Sequence, residues 1–324
     1  MAVLTRLSPF VQPEAPRLNP LKFQDPAVTA KGERRAVVSL KRLETLWLNT
    51  GTLCNLTCAN CYIESSPRND ALIYLTGAEA SAYLDEIALL GLATREIGFT
   101  GGEPFMNKHL LPMLEDALAR GFETLVLTNA MRPMRRHEPA LLDLRARYGD
   151  RLAIRVSLDH HTRVVHEAER GANTWGKTVD GLQWLSRHGF NLAVAGRRLA
   201  HEPEVEARAA YQAMFDRLGV RLDAAHPARL VLFPEMDALH DVPEITEACW
   251  GILGKTPSSV MCSSSRMVVR RKGSPHASVV SCTLLPYDLG FDAGPTLSDA
   301  LRPVALNHPH CAKFCVLGGA SCSG

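Results

Sequence analysis

Residues 45–62 read TLWLNTGTLCNLTCANCY. Thr45 to Asn49 is a short, mostly apolar run that lacks the length of a helix and reads as a β-strand. Cys54, Cys58 and Cys61 follow it directly in a polar stretch, so the strand delivers three thiols into the loop at its C-terminal end. Among nine cysteines in 324 residues, a given triplet spacing arises by chance with a probability on the order of 1%.

Outward from this stretch, short apolar runs alternate with longer amphipathic segments. Further strands are expected at Glu96 to Phe99, Thr124 to Leu127, Ala153 to Ser157, Asn191 to Ala195 and Arg229 to Phe233. Between them, helices are expected at Gly77 to Leu90, His109 to Arg120, Pro139 to Tyr148, Trp175 to His188 and Glu202 to Leu218. Gly91, Gly121, Gly149, Gly189 and Gly219 each stand where a helix wants a left-handed stop. Six βα units predict an α/β fold, a partial (β/α)6 barrel of the TIM type. It should be open on one side, with chemistry at the C-terminal strand ends.

The flanks differ. Residues 1–42 hold five prolines among polar residues and predict an irregular N-terminal extension that wraps or frays. The barrel is expected over 43–240. Residues 241–324 form a small, loop-rich C-terminal module that holds the other six cysteines and is too small and polar for a sizeable core of its own. Cys249, beside Trp250 on a helical stretch, reads as a small buried hydrophobe.

Charge says little about partners. Basic residues number 36 against 34 acidic, a net +2 that implies neither nucleic acid nor anionic membrane. The one basic run, Arg266 to Lys272, reads as a solvated strand or turn edge. No apolar run approaches the roughly 18 residues of a membrane span, and the N-terminus lacks a secretory layout. A cytoplasmic location is expected, where thiols stay reduced and clustered cysteines hold metal in preference to forming disulfides.

The first cluster lacks a fourth cysteine or histidine nearby, which disfavours a structural zinc site. Three thiolates suit a [4Fe-4S] cluster that leaves one iron open to a chelating small molecule. A second motif, Thr100-Gly101-Gly102-Glu103-Pro104, ends the second strand. It lets backbone approach a ligand and offers a carboxylate to an ammonium group, although a tight βα turn explains the glycines as well.

Together these motifs resemble the radical S-adenosylmethionine (radical SAM) superfamily, whose signature is CxxxCxxC followed by an aromatic residue, here Tyr62, with a Gly-Gly-Glu motif after strand two. The resemblance implies that Cys54, Cys58 and Cys61 ligate the cluster and that Gly101, Gly102 and Glu103 receive the amino end of SAM. It also carries Ser157 and Arg197 over to the SAM ribose and carboxylate, against a competing reading as turn-stabilising residues. By the same resemblance, the enzyme cleaves SAM reductively to a 5′-deoxyadenosyl radical, takes hydrogen from a substrate, and receives electrons from a reductant such as flavodoxin or ferredoxin. Thr128, Asn129 and Asp159 are lesser candidates on the same mouth. His160 and His161 read as surface decoration before proton carriers.

Cys262, Cys282, Cys311, Cys315 and Cys322 are spaced like the auxiliary-cluster modules called Twitch and SPASM. That resemblance implies one auxiliary [4Fe-4S] cluster with four cysteine ligands and one of the five to spare. A zinc staple, with His308 and His310 as further donors, is the competing reading. The substrate, peptide or small molecule, is unidentified, and no catalytic residue beyond the cofactor site is assigned. The absence of a recognisable peptide-binding domain in 1–42 weighs against a peptide without removing it. The alternative class is a non-catalytic metal-binding protein with structural or electron-transfer centres.

Overall fold

The computed structural model describes residues 8–12, 14–234 and 237–319. A two-residue strand β1 (Val37–Val38) precedes the main sheet. The sheet begins with β2 (Thr45–Asn49), and α1 (Gly77–Leu89) leads on to β3 (Glu96–Thr100). Thr76 starts α1 with a reciprocal cap: its hydroxyl accepts from the Glu79 amide at 3.2 Å while the Glu79 carboxylate accepts from the Thr76 amide at 2.9 Å. The alternation continues through α2 (Leu110–Ala119), β4 (Glu123–Thr128), α3 (Arg132–Arg135), α4 (Glu138–Tyr148) and β5 (Leu152–Ser157). It ends with α5 (Arg163–Arg170), α6 (Trp175–Arg187), β6 (Asn191–Arg197), α7 (Glu204–Leu218) and β7 (Leu230–Phe233). Gly219 closes α7 at φ +65°, and the other four expected glycine stops also have positive φ.

Strands β2 to β7 are parallel and lie in sequence order. The sheet order ends in two free edges among the described residues, so the six βα units form an open, partial barrel in an α/β fold. Both faces of the sheet are covered, which is why the strands are almost continuously apolar. Leu46 and Leu48 join the large core beneath the helices, while Trp47 points the other way into a smaller cluster with Leu72, Leu125 and Met267. Gly98 makes room for it, since a Cβ there would lie 2.4 Å from the indole.

The C-terminal segment enters the same sheet. After a short helix α8 (Cys249–Leu253), β8 (Ser265–Val269) pairs parallel to β2, with Thr45 opposite Ser265. A hairpin turns it into β9 (Ser278–Val280), which pairs in turn with β10 (Asp292–Gly294). The basic run is therefore not a solvated edge. Arg266 is 1% exposed, and its guanidinium donates to the carbonyls of Cys262 at 2.7 Å and Ala300 at 2.8 Å. Arg270 pairs with Glu79 at 2.7 Å, and Arg271 with Asp292.

The N-terminal extension wraps onto this segment. β1 pairs with β11 (Val304–Ala305), and buried Arg35 meets Glu244 at 2.6 Å. A separate core, including Ala36, Val38, Ile245, Leu306 and Phe314, is shared between the extension and the C-terminal residues. No helix among the described residues is long and apolar enough to cross a membrane.

Candidate active site at the barrel mouth

The cysteine loop leaves β2 under tight restraint. Thr50 donates its amide to the Thr100 carbonyl at 2.8 Å, Thr52 to Leu72 at 2.9 Å, and Cys54 to Ser66 at 3.1 Å. The amides of Leu56 and Ser65 point at the sulfurs of Cys54 and Cys61, each at 3.4 Å. Helix α5 and the end of β6 hold the loop from the side. The Ala59 amide donates to the Glu169 carbonyl at 2.8 Å, the Asn60 amide to Glu169 Oε1 at 3.0 Å, and Arg197 to the Asn60 carbonyl at 3.1 Å.

All three cysteines open onto one cleft of about 1080 Å³ of atom-free space, mouth included. Tyr62, Gly101, Gly102, Ser157 and Arg197 line it as well. Burial pushes the Cys54 and Cys58 thiols up to about 12. They would stay protonated at neutral pH unless a cation replaced the proton, which is the condition of metal-ligating thiols.

The glycine pair is small for a reason beyond ligand approach. A Cβ on Gly101 would lie 2.5 Å from the Gly51 carbonyl oxygen, and one on Gly102 2.4 Å from that of Leu53. Glycine here lets the end of β3 hydrogen-bond to the cysteine loop, through Gly102 to Gly51 at 2.9 Å and Glu103 to Leu53 at 3.1 Å. Glu103 itself is turned behind the cleft wall. Its carboxylate accepts from the Thr128 hydroxyl at 2.9 Å, the Asn129 amide at 2.9 Å and the Phe105 amide at 3.2 Å. Burial pushes its pKa up to about 7 against those donors.

Among the lining residues that the sequence reading passed over are Glu169 and Arg170 on α5. Arg170 grips Asp159 with two donors, at 2.6 and 3.2 Å. Burial alone would raise the Asp159 pKa, but Arg170 and Arg197 hold its carboxyl below the usual range and therefore ionised. Around this network Asn60 Nδ2, Ser65 Oγ and Glu169 Oε2 are buried without a hydrogen-bond partner among the described residues. Such orphaned groups suit a polar ligand. Leu127, Phe233, Leu284 and Phe314 supply an apolar side.

His160 and His161 are not surface decoration. His160 is 3% exposed, and His161 packs edge-on to Tyr211 with ring centroids 5.6 Å apart.

A second, much smaller cavity lies among the C-terminal elements and is lined by Cys262, Cys282, Cys311 and Cys315, with His310 beside them. Cys311 and Cys315 share a π-helical segment, Cys311–Leu317, and Cys262 and Cys282 flank the β8–β9 hairpin. Cys249 stands apart, its sulfur accepting from the Thr246 amide at 3.4 Å, and Cys322 lies outside the described residues. Leu284 borders both cavities. Among the described residues, within neither cysteine set do three sulfurs lie inside 4.8 Å of one another. A mononuclear tetrahedral zinc, with Zn–S near 2.3 Å, would draw them to about 3.8 Å.

Comparison with known proteins agrees with this geometry. Residues 48–207 match the model of the Radical SAM superfamily. The chain is 33% identical over 143 residues to the antilisterial bacteriocin subtilosin biosynthesis protein AlbA of Bacillus subtilis, covering 44% of this chain and 30% of that protein. It is 28% identical over 137 residues to the mycofactocin maturase MftC of Mycobacterium ulcerans, covering 42% and 35%, and 30% identical over 170 residues to the GTP 3′,8-cyclase of a Synechococcus strain, covering 48% and 47%. The matched stretches thus span less than half of each of these relatives. The fold is shared with Streptococcus suis SuiB bound to S-adenosylmethionine (TM-score 0.55, 10% identity, 78% of this chain and 63% of that one). It is shared equally with native anSMEcpe with bound AdoMet (TM-score 0.56, 14% identity, 83% and 82%). The family model spans the cysteine loop and the ends of β3 to β6, so over residues 48–207 the chain is similar to the radical SAM superfamily.

Proposed function

We propose that the chain is a radical SAM enzyme that oxidises or cross-links a peptide substrate and carries a second iron-sulfur cluster in its C-terminal segment. The observation that carries this is the single cleft in which Cys54, Cys58 and Cys61 face Gly101, Gly102, Ser157 and Arg197. A three-cysteine [4Fe-4S] cluster with SAM supplies, when bound, one-electron cleavage to a 5′-deoxyadenosyl radical that takes hydrogen from the substrate.

The chain's own residues do the positioning. Cys54, Cys58 and Cys61 ligate; the Leu56 and Ser65 amides orient two of the sulfurs. Gly101 and Gly102 present backbone to the amino end of SAM, with Ser157 and Arg197 toward its ribose and carboxylate. Glu103 acts from behind, fixing Thr128 and Asn129. The apolar side formed by Phe233, Leu284 and Phe314 excludes water from the reacting centre.

Cys262, Cys282, Cys311 and Cys315 are the proposed auxiliary ligands, in a Twitch- or SPASM-like module over 241–324 that shares its sheet with the barrel of 43–240. Their grouping around one cavity, with no three of these sulfurs inside 4.8 Å of one another among the described residues, supports a multi-iron cluster. A reductant of the flavodoxin or ferredoxin type and a cytoplasmic setting belong to the same reading. Similarity to a bacteriocin biosynthesis protein and a maturase favours a peptide substrate, whereas similarity to a GTP cyclase keeps a small molecule as the second reading.

Anaerobic reconstitution with iron and sulfide, followed by dithionite and SAM, should release 5′-deoxyadenosine. A cluster-loaded protein that releases none is a non-catalytic metal protein. Replacing Cys54, Cys58 and Cys61 by alanine should leave about four irons on the tail; zinc in their place would remove the auxiliary cluster from the reading.

A further inference from the structure

We infer that His160, His161 and Glu202 form a binding site for one divalent transition-metal ion of the zinc class, distinct from both cysteine sets. The two histidines lie in the loop that leaves β5, and Glu202 lies in the loop between β6 and α7. Among the described residues this is the one group of three or more histidine, cysteine or acidic side chains whose donor atoms all fall within 4.8 Å of one another.

His160 Nε2 stands 3.5 Å from one carboxylate oxygen of Glu202, and His161 Nδ1 stands 3.7 Å from the other. Both separations exceed the 2.7–3.2 Å typical of a hydrogen bond. They approach the roughly 3–3.5 Å between donors that share an ion at metal–ligand distances near 2.0–2.2 Å. Neither nitrogen has a hydrogen-bond partner among the described residues, although both atoms are buried. Buried imidazole nitrogens are rarely left so, and here two of them converge on one carboxylate.

The surroundings match those of a metal-bound histidine. The far nitrogen of His160, Nδ1, lies 2.8 Å from the Thr162 hydroxyl and 3.1 Å from the Thr162 amide. Accepting from the amide places the proton on Nε2, facing Glu202; donating to the hydroxyl leaves Nε2 as a bare lone pair and gives up the bond from the amide. A metal selects the second arrangement and gives His160 the outer partner that metal-bound histidines usually have. Phe10 beside His160, at 6.4 Å between centroids, and Tyr211 beside His161 form an apolar collar.

Glu202 is held in place by its own turn, accepting from the Leu199 amide at 3.2 Å. Two imidazoles and one carboxylate favour zinc, iron(II), cobalt or nickel over magnesium or calcium, and they leave coordination positions open. Such an ion ties together the loops on either side of Arg197 and so steadies the rim of the cleft.

The test uses the full chain with its iron-sulfur sites reconstituted, so that the cysteines are occupied. Anaerobic dialysis against zinc should load about one further ion per chain and raise the melting temperature, with iron content unchanged. His161→Asn and Glu202→Gln should each abolish the extra ion and the rise in melting temperature while keeping the iron. Glu202 lies on a partly exposed loop, so its variant serves if the histidine variant does not fold. Cobalt in place of zinc should give weak visible bands without the strong near-ultraviolet absorption of thiolate ligation. A wild-type chain that takes up no extra ion, variants that keep it, or a thiolate spectrum would each overturn the assignment. Loss of the radical chemistry alone would leave this site untouched, because its readouts are zinc uptake and melting.

Discussion

His166 lies fully buried on α5, stacked edge-on against Trp175 at 5.4 Å between centroids, and among the described residues neither ring nitrogen finds a hydrogen bond. Burial, reinforced by the charge of Arg170, pulls its pKa down to about 4. The unfolded chain, with an ordinary histidine near pH 6.5, binds the proton first as the pH falls. Stability from the neutral ring is therefore complete above about pH 6.5 and is lost on the way down toward pH 4. Between pH 7.5 and 5.5 urea unfolding should show the wild type losing about 1 kcal/mol more than His166→Gln. Equal losses would mean that the ring titrates normally. Other single residues show why local reading fails. Arg266 looked solvated because the carbonyls of Ala300 and Arg302, which bury it, come from a distant stretch of chain. The partners of Glu103 were not legible either, because nothing in its neighbourhood announces Thr128 and Asn129.

The strands and the long helices were readable because each carries its own pattern, apolar runs for strands closed in on both faces and glycine stops after helices. The eight-residue α5 was not. Its buried positions are His166 and Glu169, polar residues that turn inward to meet the cysteine loop, so hydrophobic periodicity had nothing to find. The only local clue was Gly171, at φ +100° directly after Arg170. The function of α5 follows from its two contacts with the loop, the Ala59 and Asn60 amides held by Glu169. Glu169→Ala leaves the Asn60 amide unpaired, at a cost of about 1–3 kcal/mol. On the proposed ligation, iron should then be lost to a chelator several-fold faster than from wild type, and Glu169→Gln, which keeps an acceptor, should restore most of the difference. Unchanged iron loss in the alanine variant would release α5 from this task.

The fold joins the ends of the chain to its middle. The N-terminal extension is fastened by β1 to β11 and by the buried Arg35–Glu244 pair, and Leu284 forms a common wall between the two cysteine cavities. None of these long-range pairings has a sequence signature, which is why the two cysteine sets were legible and the wall they share was not. The pairing of β8 with β2 reaches furthest. On the ribosome β2 is made early, and the strand that covers its outer edge arrives more than two hundred residues later. During that interval a buried-type strand offers bare hydrogen-bonding groups to any other chain, the hazard of an unprotected edge. A chain cut before Ser265 should accumulate as insoluble aggregate in a sedimentation assay; a soluble monomer would disprove the point. A strand made late thus acts as a seal on the strand that opens the barrel, and errors late in translation should cost this protein more than errors of equal length in a surface loop.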